Sequence, residues 1–94
     1  MSKKPSIATA LGAVVRAQRE AAGKSQEAFA AEVGIHRTYL GAIERGERNP
    51  ALRNLERIAA GLRVPLSALL AAAEARVTSV REPGSPTHAA TVRT

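Results

Sequence analysis

Glycine and proline punctuation constrains this chain more than any other feature. Gly23, Gly34 and Gly46, followed by the Asn49-Pro50 and Val64-Pro65 pairs, cut residues 6–76 into short pieces. Glycine enters the left-handed backbone region at little cost and ends helices there, while proline cannot donate a helical hydrogen bond. Within each piece the apolar residues recur at helical spacing, and none alternates as a half-buried strand would. The chain is therefore restricted to short helices joined by tight turns.

Read piece by piece, Ser6 is an N-cap for a first helix reaching about residue 22, with Leu11, Val14, Val15, Gln18 and Ala22 on helical spacing. Ser25 caps a second helix over 26–33, with Phe29, Ala30 and Val33 facing inward. Gly34, Ile35 and His36 form a turn, and a third helix runs from Arg37 to about Arg45. A fourth, about 52–61, is expected to bury Leu52, Leu55, Ile58, Ala59 and Leu62. A fifth, about 66–76, presents Leu66, Leu69, Leu70 and Ala73.

The fold class expected is all-α: a compact five-helix bundle over 6–76, preceded by a basic arm (1–5) and followed by a disordered tail (77–94). Aromatics are only 2% of the residues, Phe29 and Tyr39, so the core must be aliphatic, which suits close helix packing. A domain of roughly 60–70 residues buries only about 60% of its chain's surface, too little to enclose a deep substrate cavity.

Composition also excludes function classes. With no cysteine there is neither a disulfide nor a thiolate metal site, and His36 and His88 lack metal-ligand spacing. No apolar run approaches the roughly 20 residues that span a bilayer, and no signal-peptide core is visible. A soluble, cytoplasmic protein is expected. No Ser/His/Asp, paired-carboxylate or phosphate-loop arrangement occurs, so no enzyme activity, cofactor or small-molecule ligand is expected. The net charge of +6 points instead to nucleic acid or another acidic partner.

The charges gain meaning from their position. Two short helices around a glycine turn, residues 26–45, form a helix-turn-helix arrangement. Ala30 is small enough for the two helices to cross, and Ile35, Leu40 and Ile43 fill the wedge beneath. At 3.6 residues per turn, Arg37, Thr38, Gly41, Ala42 and Arg45 fall within about 140° of one another, opposite Leu40 and Ile43. Gly41 and Ala42 are short enough to let the backbone approach base edges. Arg37 can donate two hydrogen bonds to guanine, and Thr38 can bond a base or touch a thymine methyl.

Residues 11–70 resemble the Cro/repressor-type (XRE) helix-turn-helix family, through LGAVVRAQREAAGKSQEAFAAEVGIHRTYLGAIERGERNP and LRNLERIAAGLRVPLSALL. The stretch HRTYLGAIERGERN is similar to restriction-modification controller proteins. The resemblance implies a regulator that binds double-stranded DNA. It gives base reading to Arg37, Thr38 and Ala42, and backbone contacts to Gln26, Tyr39, Arg45, Arg48 and Asn49, with core filling as the alternative for Tyr39. It also implies an ion pair between Arg19 and Glu44 that holds the third helix to the first. His36 departs from the family's usual Ser or Thr cap.

One such motif reads few base pairs, so a homodimer on a pseudo-palindromic operator is expected, with Leu66, Leu69, Leu70 and Ala73 as its interface. The rival reading is an antitoxin-like or adaptor module that uses the same fold to hold a protein partner.

Overall fold

The computed structural model describes residues 5–78, which form five helices and no strand. They are α1 (Ile7–Ala21), α2 (Gln26–Val33), α3 (Arg37–Glu44), α4 (Leu52–Leu62) and α5 (Leu66–Thr78). The first two begin where a serine can cap them. The Ser6 and Ser25 hydroxyls accept the amides of Thr9 and Ala28, each at 3.1 Å. Such a cap satisfies a donor the helix itself leaves unpaired and is worth about 1 kcal/mol. Gly34 closes α2 in the left-handed region, φ 77°, so that the Ile35 amide reaches back to the Ala30 carbonyl at 3.0 Å. This reversal sends the chain directly into α3.

The helices wrap one aliphatic core. α1 lies against both α3 and α5, α2 packs on α3 and α4, and α4 on α5. Phe29, Leu40, Ile43, Ile58, Leu69 and Val15 are its largest fully buried side chains. Two glycines serve this packing by their lack of a side chain. A Cβ on Gly12 would collide with the Ile43 carbonyl oxygen and lie 2.7 Å from that of Glu44, so α1 meets the backbone of α3 directly. A Cβ on Gly61 would run into Val33 and come within 3.0 Å of Phe29, so that glycine is spent on the contact between α2 and α4.

Three expectations need correction. The fourth helix does not stop at Gly61; it continues to Leu62 and ends on Arg63, at φ 61°. Leu52 is 65% exposed, because it opens α4 ahead of the buried stripe that begins at Leu55. Finally, α5 extends through Val77 and Thr78, where the tail was expected to begin. The rest of that tail, 79–94, and the arm at 1–4 lie outside the described residues.

The face intended for dimerisation also changes. Leu69 and Ala73 are fully buried in the protomer's own core, so they offer nothing to a partner. Leu66 and Leu70 are half-buried at its edge. The helix turns the first pair into the core and leaves the second pair at the rim, a division that aliphatic spacing alone does not reveal.

Candidate nucleic-acid interface

α3 is fastened from behind by one carboxylate. Glu44, at its last turn, accepts Arg19 Nε on Oε2 at 2.7 Å and Arg19 Nη2 on Oε1 at 3.0 Å. Gln26, opening α2, donates Nε2 to the same Oε1 at 2.9 Å. The remaining Arg19 nitrogen, Nη1, donates to the Lys24 carbonyl at 2.7 Å in the turn between α1 and α2. Three helices and a turn thus meet at a single ion pair, whose side chains are only 8% and 2% exposed. Among the described residues no buried side-chain nitrogen or oxygen lacks a partner. The hydrogen bond to Glu44 outweighs the burial of Arg19 and holds its guanidinium above the ordinary arginine value.

The opposite face of α3 is uncommitted. Arg37 and Thr38 are exposed, and neither has a hydrogen-bond or ion-pair partner among the described residues. Ala42 is half-buried beside them. Gly41 is a correction: it is buried, with the Gln26 side chain and Arg45 Nη1 lying 3.2–3.7 Å from where its Cβ would stand. The open strip therefore comprises Arg37, Thr38 and Ala42, while Gly41 is the floor on which Gln26 rests. His36 occupies the N-cap position in extended conformation and makes no side-chain cap bond.

The flank past α3 carries cations of two kinds. Arg45 is paired with Glu47, Nε to Oε2 at 3.1 Å, and that hydrogen bond raises its pKa from the ordinary arginine value. Both side chains are well exposed, so water screens the pair and it costs little to exchange. Arg48 lies over the Tyr39 ring, 5.4 Å from its centroid, and Asn49 is exposed next to it. Tyr39 is half-buried and packs against the edge of the core, and its hydroxyl accepts Asn54 Nδ2 at 3.3 Å.

Three contributors were not anticipated in the sequence. Gly12 permits the approach of α1 to α3, Asn54 reaches Tyr39 from α4, and Arg57 donates to the Gly34 carbonyl at 3.2 Å across the turn. Each acts on a residue many positions away, so no local pattern marks it.

A control protein, C.MunI of Mycoplasma sp, is 50% identical over 52 residues, spanning 55% of this chain and 70% of its own length. The restriction-modification controller C.AhdI of Aeromonas hydrophila superposes with a TM-score of 0.63 at 38% identity, covering 65% of this chain and 92% of that one. The controller C.Esp1396I, solved as a tetramer in complex with its natural 35 base-pair operator, gives 0.69 at 27% identity, covering 78% and 96%. The family model described as helix-turn-helix matches residues 15–69, which include the buried ion pair, α2, α3 and the whole of α4. The chain belongs to the helix-turn-helix family, of the Cro/repressor (XRE) type.

Proposed function

We propose that this protein is a sequence-specific DNA-binding transcriptional regulator that lays α3 in the major groove and binds a pseudo-palindromic operator as a homodimer. One observation carries the reading: the outward residues Arg37 and Thr38 are unpaired while the helix beneath them is locked by a buried, fully bonded carboxylate. Preorganised donors on a rigid helix are what base discrimination requires, because each good bidentate contact contributes roughly 1–3 kcal/mol only if its geometry is held.

In this reading Arg37, Thr38 and Ala42 meet base edges. Gln26, Tyr39, Arg45, Arg48 and Asn49 meet sugar and phosphate, which position the protein without specifying sequence. Arg45 exchanges Glu47 for phosphate on binding. Arg19 and Glu44 touch no DNA and hold the angle of α3. The second protomer packs along the outer edge of α5, which includes the half-buried Leu66 and, further on, Leu70, Ala71 and Val77 beside the exposed Ile7 of α1. Similarity to C.MunI and C.AhdI supports the narrower role of controlling a restriction-modification operon, its own promoter included. No single described helix is long and apolar enough to cross a membrane, which is compatible with action in the cytoplasm.

The test is recovery and sequencing of genomic fragments bound at physiological salt, beside Arg37→Ala. A discrete two-fold site, with half-sites about 34 Å apart and lost in the variant, is expected. Diffuse, salt-sensitive binding that is unaffected by the substitution would overturn the reading.

A further inference from the structure

The contact between Asn54 and Tyr39 assigns a role to a residue that neither lies on α3 nor belongs to the basic flank. The Tyr39 hydroxyl accepts the Asn54 amide at 3.3 Å, and among the described residues it donates to nothing. A phenol has one proton to give and lone pairs to receive. With a lone pair engaged by Asn54, the proton is directed away from α4 and left for an external acceptor. Arg48 lies over the ring, its guanidinium 5.4 Å from the centroid. An aromatic hydroxyl with its proton uncommitted, beside a cation on the same surface, matches an anionic oxygen and not another donor.

We propose that Asn54 is a positioning residue for DNA binding: it orients the Tyr39 hydroxyl so that Tyr39 donates its proton to a backbone phosphate beside the one met by Arg48. This rests on the DNA-binding reading above, and it explains why a polar side chain sits half-buried on the face of α4 that reaches Tyr39. Asn54 itself touches no phosphate. Its effect passes through a neutral hydroxyl, and this gives it a distinctive signature. Neutral donors release no counterions, so their loss lowers affinity without altering the dependence on salt, whereas each lost cation flattens that slope by about one unit.

The experiment measures operator affinity against salt for the wild type, Tyr39→Phe, Asn54→Leu and the double variant, with thermal melting of each. Leucine is close to asparagine in size and removes its hydrogen-bonding carboxamide, the donor to Tyr39 included. Tyr39→Phe is expected to weaken binding about tenfold, as a lost hydrogen bond to a charged acceptor does. Asn54→Leu is expected to weaken it about threefold to fivefold, with salt slope and melting unchanged. In the Tyr39→Phe background, Asn54→Leu should have no further effect. Additive losses, or a flatter slope in Asn54→Leu, would show that Asn54 acts by another route and overturn the proposal. An unchanged affinity in Tyr39→Phe would overturn it too, while leaving the regulator reading intact if Arg37→Ala still abolishes site preference. Absence of any preferred site in the wild type would instead remove the regulator reading itself.

Discussion

Replacing Glu44 by glutamine changes one oxygen for an NH2 and should nevertheless threaten the fold. Three donors converge on the carboxylate: Arg19 Nε on Oε2, and Arg19 Nη2 with Gln26 Nε2 on Oε1. An amide must turn its NH2 toward one set. Facing Oε1's place, it opposes two donors; facing Oε2's place, it opposes Arg19 Nε alone, so the second orientation is preferred and one charge-assisted bond is lost. The larger cost is electrostatic. The Arg19 side chain, 8% exposed, then keeps its charge with two neutral oxygens, the retained amide oxygen and the Lys24 carbonyl, and the distant Glu20 carboxylate, 3.9 Å from Nη2, to balance it.

Removing one partner of a buried pair costs about 3–5 kcal/mol, and the surviving neutral bonds place Glu44→Gln near the lower end, about 3 kcal/mol. A small domain holds only about 5–10 kcal/mol in all, so this loss should lower Tm by roughly 12–24 °C. Urea unfolding at one protein concentration, followed by circular dichroism, gives the energy directly. The double replacement Arg19→Met with Glu44→Leu should recover most of the loss, since it removes the stranded charge. A cost below about 1 kcal/mol for Glu44→Gln would refute the argument, because that is the range of an exposed pair.

The remaining predictions concern packing and contact type. Gly12→Ala should destabilise by about 3 kcal/mol, at the upper end for overpacking, because its Cβ meets backbone carbonyls that cannot rotate away; thermal melting checks it. Arg37→Ala should erase discrimination between operator and unrelated DNA, whereas Arg48→Ala should weaken both alike and reduce the salt slope by about one, as read by titration at several salt concentrations. Leu69→Arg should prevent folding, since it places a charge at a fully buried site, while Leu70→Arg should fold and dissociate the proposed dimer. Circular dichroism and sedimentation separate these two outcomes. A folded Leu69→Arg protein would contradict the assignment of that residue to the core.

Much of this protein was determined within a few residues of chain at a time. Ser6 and Ser25 begin helices because a hydroxyl reaches an amide three residues on, and Gly34 ends one because only glycine turns left-handed cheaply. The glycine turn between two short helices, and the outward set of Arg37, Thr38 and Ala42, follow from the same short-range geometry. The tertiary structure alone decided what each face meets. It exposed Leu52, buried Leu69 and Ala73, and covered Gly41 with the side chain of Gln26. It also brought Gly12 against α3 and Asn54 against Tyr39. Spacing along a helix says which residues share a side, but which side is covered depends on how far each partner helix extends. That distance is set by backbone approach between segments far apart in sequence, where a missing Cβ or one buried carboxylate fixes the docking.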